Sequence, residues 1–189
     1  MVNPSPLMRS RRFAPLFLTQ WSGAFNDNFF KSALLILFTY NNLELAQLSV
    51  NVVNNLVAAT LILPFLLFAA FAAQFADKYE KSGLIRALKL AELGIMVAAA
   101  VALWLGNAWL MLLALFCMGA QSACFSPLKY AILPQHIAED KLVAANSLLH
   151  AGTSLAIFMG LIGGSIAAQM TSGTVVVAGA GVAIALLGY

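Results

Sequence analysis

Charge is what this chain has least of. Only 9% of its 189 residues are Asp, Glu, Lys or Arg, against about 25% in a typical soluble domain. Histidine and cysteine are also scarce, at two each. His136 and His150 are well apart, and no His/Cys/acid cluster has metal-ligand spacing. Neither a Gly-rich phosphate loop nor a nucleophile elbow occurs. These absences exclude a metal, cofactor or hydrolytic centre of recognisable pattern, and the reading is of a chain that is not an enzyme and carries no cofactor. Cys117 and Cys124 are seven residues apart. On a helix that is ~10 Å of rise, too far for a mutual disulfide.

What is present in excess is apolar surface: 62% of the residues are hydrophobic. A soluble core of this size cannot hide that much, so the composition is that of an all-α integral membrane protein. Six segments approach the ~20 residues a helical crossing needs: Phe13–Tyr40, Val50–Ala76, Leu84–Leu105, Ala108–Tyr130, Leu142–Gln169 and Thr174–Tyr189. The last is short, as expected of a bundle cut off at its C-terminal end. Residues 1–12 form a basic N-terminal segment, and 13–189 a six-helix bundle. The first apolar run is too long for the h-region of a signal peptide.

The basic residues set the orientation. Arg9, Arg11, Arg12, Lys78, Lys81, Arg86, Lys89, Lys129 and Lys141 all fall on one side of a six-helix drawing. Lys and Arg accumulate on the cytoplasmic side, so the N-terminus is expected inside. Basic residues confined to such clusters are topology signals and exclude a nucleic-acid groove.

Lys31 is the remaining cation, and it belongs to the stretch QWSGAFNDNFFK, residues 20–31. Gln20, Ala24, Asp27 and Lys31 share one helical face, with Asp27 near mid-depth. A charge at the centre of a bilayer costs ~2.5–3.5 kcal/mol even on lenient scales, so this face is expected to point away from lipid. Asp27 and Lys31 have the i,i+4 spacing of an intrahelical ion pair. As a structural pair they only help the helix insert. With Asn26 and Asn28 beside them, they read instead as the wall of a polar cavity. Segment four carries a second polar face of Ser122, Ser126 and Lys129, with Gln121 adjacent and Pro127 expected to bend the helix. Lys129 also fits an ordinary snorkelling lysine. Lys89 and Glu92, three apart, read as a local ion pair. Gly160-Leu161-Ile162-Gly163-Gly164-Ser165 reads as a small-residue packing patch.

The loop Ala73-Gln74-Phe75-Ala76-Asp77-Lys78-Tyr79-Glu80-Lys81 resembles the Gly-x-Leu-Ala-Asp-Arg-x-Gly-Arg loop between helices two and three of the major facilitator superfamily. Asp77, Lys78 and Lys81 match in kind; Ala73 and Glu80 stand where the family has glycine. AFNDNFFKSAL, CFSPLKYAILPQH and NSLLHAGTSLAIFMGLIGGS resemble the lysophospholipid transporter branch, closest to versions fused to acyltransferase and acyl-carrier-protein ligase domains. Where that branch has an acid after Asn-Ser-Leu-Leu, this chain has His150. The resemblance implies the N-terminal half of a twelve-helix fold, built from two inverted three-helix repeats with helices one and four facing a central cavity. It implies alternating-access transport of lysophospholipid across the bacterial inner membrane. The partners implied are the bilayer, a C-terminal six-helix half and an acyltransferase domain. In this reading Gln20, Asn26, Asp27, Asn28, Lys31, Gln121, Ser126 and Lys129 meet substrate, and Asp77, Lys78, Lys81 and Arg86 form the conformational loop. A transporter of another solute, or a membrane anchor for a cytoplasmic acyltransferase, fits the same segments.

Overall fold

The computed structural model of the chain describes residues 5–40, 45 and 48–189, with the side chains at 5, 6, 69 and 75–77 outside that description. The described residues fold into helices: α1 (Ser5–Met8), α2 (Phe13–Tyr40), α3 (Val50–Lys78), α4 (Lys81–Trp104), α5 (Ala108–His136), α6 (Glu139–Ala168) and α7 (Gly173–Leu187). The six predicted segments are α2 to α7.

The differences lie at the ends. α5 continues through Pro127 and Pro134 to His136, where a loop was expected from Ala131. α6 starts at Glu139, ahead of the expected Leu142, and its first turn carries Glu139 and Asp140. Acidic side chains there complement the positive end of the helix dipole. At the turn after α4, Gly106 adopts φ 63°, which a side chain disfavours. Asn107 then caps α5 by accepting from the Leu110 amide at 3.1 Å.

Among the described residues, four helical stretches are long and apolar enough to cross a membrane: Val50–Phe68 within α3, and α4, α5 and α6. The chain is therefore a multi-pass membrane protein. α2 has the length, at 28 residues, but Asn26, Asp27, Asn28 and Lys31 dilute its hydropathy. α7 is apolar but only 15 residues long, below the usual ~17–25.

Helix pairing follows a pattern. α2 packs on α6 and α5 on α3; α4 touches α5 and α7; α2 also meets α3, α5 and α7. Exchanging α2, α3 and α4 for α5, α6 and α7 maps most of these pairs onto one another. α2–α6 becomes α5–α3, α4–α5 becomes α7–α2, and α2–α5 and α4–α7 map onto themselves. The contact between α6 and α7 has no comparable counterpart between α3 and α4.

The apolar core is split in two. One cluster holds Phe30, Leu34, Leu37, Met96, Leu115 and Met118. The other holds Phe13, Phe125, Leu133 and Leu149 with Leu7 of α1. Along α2 and α5, the polar residues 19–28 and 121–122 fall between these clusters, so the fold leaves its polar layer at mid-depth.

Candidate functional site: a buried charge network beside a polar cavity

A cavity of about 250 Å³ opens in that layer, bordered by α2 to α6. Gln20, Asp27, Asn28, Gln121, Ser126 and Lys129 line it. Apolar side chains line it too: Leu61, Ile62 and Phe65 of α3, Phe125 of α5 and Ile157 of α6. The structure thus brings six of the eight sequence-derived candidates to one space.

Asn26 and Lys31 are not among them. Asn26 is fully buried and faces α7, where a Cβ added at Gly181 would lie 3.6 Å from its Oδ1. One residue of helix rotates a side chain by about 100°, which is enough to turn Asn26 out of the face that Asp27 occupies. Lys31 is half-buried, and its Nζ donates to Asn28 Oδ1 at 3.1 Å. The expected Asp27–Lys31 ion pair does not form: the only ion pair among the described residues is Lys89–Glu92. Asp27 Oδ2 instead accepts from Ser122 Oγ at 2.5 Å, across from α2 to α5. Each member of the expected pair has a competing partner already aligned, Asn28 for the ammonium and Ser122 for the carboxylate.

The feature that the sequence reading underestimated is the Lys89–Glu92 pair. It is local, with Nζ to Oε2 at 2.6 Å, but it is also core: the side chains are 3% and 1% exposed. Gln121 Nε2 donates to Glu92 Oε2 and to the Leu88 carbonyl, both at 3.3 Å. Lys89 Nζ also reaches the Thr19 carbonyl at 3.5 Å. Gly23 makes room on α2, since a Cβ there would sit 3.7 Å from both Glu92 Oε2 and Lys89 Nζ. Both residues line the cavity. The missed signal was depth. Glu92 is eleven residues into α4, or ~17 Å from its start, which is as remote from water as Asp27.

Asp27, Glu92 and Lys89 therefore form a buried cluster of two carboxylates and one ammonium. Asp27 Oδ1 and Glu92 Oε1 have no hydrogen-bond partner among the described residues. Gln20 Nε2 donates to Thr153 Oγ1 of α6 at 3.2 Å. Lys129 lies with its Nζ 5.0 Å from the Tyr130 ring centroid and has no carboxylate within 4.0 Å among the described residues. The Tyr130 hydroxyl and His150 Nε2 are 3.2 Å apart. Cys117 and Cys124 are free thiols.

The candidate conformational residues lie apart from the cavity. Lys78 ends α3 and Lys81 begins α4, with Tyr79 and Glu80 between them. Lys78 and Arg86 are exposed, and the Asp77 side chain lies outside the described residues. Glu80, standing where the related loop has glycine, is the N-cap of α4: its carboxylate accepts from the Ser82 and Gly83 amides at 3.0 and 2.6 Å. These bonds, Gly83's foremost, hold the Glu80 carboxyl below its ordinary range.

The small-residue patch is the seam between α2 and α6. A Cβ at Gly160 would meet the Phe25 carbonyl oxygen at 2.5 Å, and one at Gly164 would fall on the Phe29 carbonyl oxygen. Ser32 Oγ donates to the Leu161 carbonyl at 2.6 Å and lies 2.7 Å from Ser165 Oγ.

Among curated proteins, the chain is similar to the lysophospholipid transporters LplT of Salmonella newport (strain SL254), Salmonella agona (strain SL483) and Salmonella typhi. Each is 31% identical over 160 residues, covering 85% of this chain and 37% of the relative. The chain thus spans a little over a third of the length of these relatives. Neither a protein-family model nor a solved structure matches it. On that identity across most of its length, the chain is a homologue of the lysophospholipid transporters.

Proposed function

We propose that this chain crosses the bacterial inner membrane six times and carries lysophospholipid across it by alternating access. The observation that carries the reading is the two-sided cavity. Its lining offers amides, hydroxyls and the Lys129 ammonium, while the residues that α3 contributes are all apolar, Ile62 and Phe65 among them being exposed. A lysophospholipid has the same division, a phosphate-bearing headgroup and a single acyl chain. Lys129 attracts the phosphate, Gln20, Asn28, Gln121 and Ser126 hydrogen-bond the glycerol, and the α3 side accommodates the tail. The homology to lysophospholipid transporters supports the same substrate class.

The symmetric helix pairing supports two three-helix repeats. Three crossings are an odd number, so the second repeat enters the membrane inverted. Alternating access further calls for a second bundle to rock against, which a six-helix C-terminal half supplies. An acyltransferase on the cytoplasmic side then consumes the product. Lys89 is buried and drops out of the charge count, but Arg9, Arg11, Arg12, Lys78, Lys81, Arg86 and Lys141 still favour a cytoplasmic N-terminus. A cysteine at Glu139 should accordingly be labelled by impermeant reagent only from the cytoplasmic face; labelling from the periplasm contradicts the orientation.

The substrate assignment is tested by uptake of radiolabelled lysophospholipid into spheroplasts expressing the protein. Hydrogen bonds to charged groups contribute about 1.5–3 kcal/mol, so Lys129→Gln is expected to lower uptake about ten- to a hundredfold, with Lys129→Arg retaining most of it. Undiminished uptake by Lys129→Gln removes Lys129 from the headgroup site, and absent uptake by the parent chain expressed together with its second six-helix bundle refutes the function.

A further inference from the structure

A second cavity, of about 230 Å³, lies at the end of the bundle where α2 and α6 begin and α5 ends. Leu7 and Ser10 line it from ahead of α2, His136, Ile137 and Ala138 from the α5–α6 junction, and Lys141 from the first turn of α6. None of these residues borders the mid-depth cavity. Leu7 is buried among Phe13, Leu133, Ile137 and Leu149, so the short α1 is held against the α5–α6 corner. Ser10 starts α2. Its carbonyl accepts from the Phe13 and Ala14 amides at 3.2 and 3.0 Å, and its Oγ accepts from the Arg12 amide at 3.4 Å. That leaves the hydroxyl hydrogen to donate.

The surroundings of this pocket are cationic. Arg9, Arg11, Arg12 and Lys141 are all exposed, and none has a carboxylate within 4.0 Å among the described residues. Glu139 and Asp140, in the first turn of α6, are the nearby acids in sequence, and neither lines the pocket. Four cations against two acids leave a net charge of +2 before His136 is counted. Ala138 adds to this. It is the N-cap of α6, where a serine, threonine or aspartate side chain would accept from the first-turn amides. Alanine has no such oxygen, so at the pocket an acceptor is missing as well as an anion.

We propose that this pocket binds the headgroup of an anionic membrane phospholipid. Lys141, His136 and the Ser10 hydroxyl hold its phosphodiester, and the three arginines supply the attracting field. Basic pockets between helices at a membrane surface are suited to such headgroups. Position favours a lipid over a soluble anion. The pocket opens at the ends of α5 and α6, two helices apolar enough to cross the membrane, which is the level of the polar headgroups. Its Leu7 and Ile137 are apolar, and Val143, just beyond the charged first turn of α6, is 78% exposed. A free phosphate gains nothing from these side chains, whereas a lipid sets its glycerol and acyl chains against them. The lipid held here is a resident of the bilayer, distinct from the lysophospholipid of the mid-depth cavity. Only its assignment to the inner leaflet rests on the orientation given above.

Native mass spectrometry of the protein released from detergent micelles tests the site, with dioleoyl phosphatidylglycerol and dioleoyl phosphatidylcholine titrated as probes. Phosphatidylglycerol adducts should form at the lower concentration. One surface cation contributes about fivefold in affinity for an anionic headgroup. Lys141→Gln should therefore weaken phosphatidylglycerol binding about fivefold, and the triple variant Arg11→Gln, Arg12→Gln, Lys141→Gln about a hundredfold. Ala138→Asp should weaken it at least as much as Lys141→Gln without lowering Tm, because aspartate is a favoured N-cap. Arg86→Gln removes an exposed cation of α4 outside the pocket and should leave the affinity unchanged. Inorganic phosphate should displace the lipid no better than chloride at equal ionic strength. Equal retention of the two lipids overturns the proposal, as does undiminished binding in the triple variant or in Ala138→Asp. A loss in Arg86→Gln as large as in Lys141→Gln also overturns it. So does displacement by phosphate alone, which would mark a free-anion site. Selective binding in protein whose Glu139→Cys is labelled from the periplasm upholds the site and refutes the orientation; absent selectivity with cytoplasmic labelling does the opposite.

Discussion

Glu92→Ala is expected to destabilise the protein by about 3–5 kcal/mol, because it leaves the Lys89 ammonium charged and buried without its partner. At this chain length that corresponds to a fall of roughly 6–20 °C in Tm, read by thermal unfolding in detergent micelles. The loss comes from the orphaned charge, since the ion pair itself contributes little net stability. The double variant Lys89→Met with Glu92→Leu removes both charges and keeps the volume apolar. Such replacements are often neutral or stabilising, so its Tm should return to near or above the parent value. A Glu92→Ala variant that unfolds with the parent, or a double variant no better than the single, contradicts the assignment of the pair as a buried structural and electrostatic centre. Lysophospholipid uptake should separate the two roles, because the rescued double variant is stable but has lost the groups that Gln121 bridges.

The positions of α2 to α7 were legible because their signal is local. Each apolar run, even the short one that forms α7, stands out whatever the rest of the chain does. The ends were less legible. Pro134 reads as a breaker, yet near the end of α5 little helix remains beyond it, and the turn continues to His136. Within the site, helical periodicity correctly placed Gln20 and Asp27 on one face, and the same face takes in Asn28. Asn26 was included for its proximity in sequence rather than by periodicity, and it turns about 100° from Asp27 on the side away from Asn28 and the cavity. The expected Asp27–Lys31 pair did not form for another reason. An i,i+4 spacing permits an ion pair, but which acceptor the ammonium takes depends on the rotamers of Asn28 and on whether Asp27 is already held by Ser122, ninety-five residues away. Lys89 and Glu92 show the same limit. Their pairing was visible from a three-residue spacing. Their burial depends on the gap at Gly23 of α2 and on Gln121 of α5, which no local pattern contains.

Gly164→Leu should be the most disruptive single change on the α2–α6 seam. The added Cβ alone falls on the Phe29 carbonyl oxygen and close to the Phe29 Cα and carbonyl carbon. Backbone atoms inside a helix cannot turn aside as a side-chain tip can, so the two helices must separate. Overpacking typically costs about 1–3 kcal/mol, the range expected for Gly164→Ala. Leucine adds three further carbons and is expected to exceed it. Separation also pulls Ser32 from the Leu161 carbonyl and from Ser165 Oγ, removing hydrogen bonds that are hard to replace where water is excluded. Two nearby glycines provide the contrast. At Gly163 the nearest atoms are the Phe25 and Phe29 rings at 3.5 and 3.6 Å, ordinary van der Waals separations, and at Gly179 nothing lies within 4 Å. Alanine at Gly163 should be tolerated, and alanine at Gly179 should stabilise α7 by up to about 1 kcal/mol through helix propensity. The order of Tm values in detergent is therefore Gly179→Ala, then Gly163→Ala, then Gly164→Ala, with Gly164→Leu lowest. A Gly164→Leu protein as stable as Gly163→Ala would mean that α2 and α6 do not meet backbone to backbone at this point, and the seam that carries Asp27 beside the cavity would have to be redrawn.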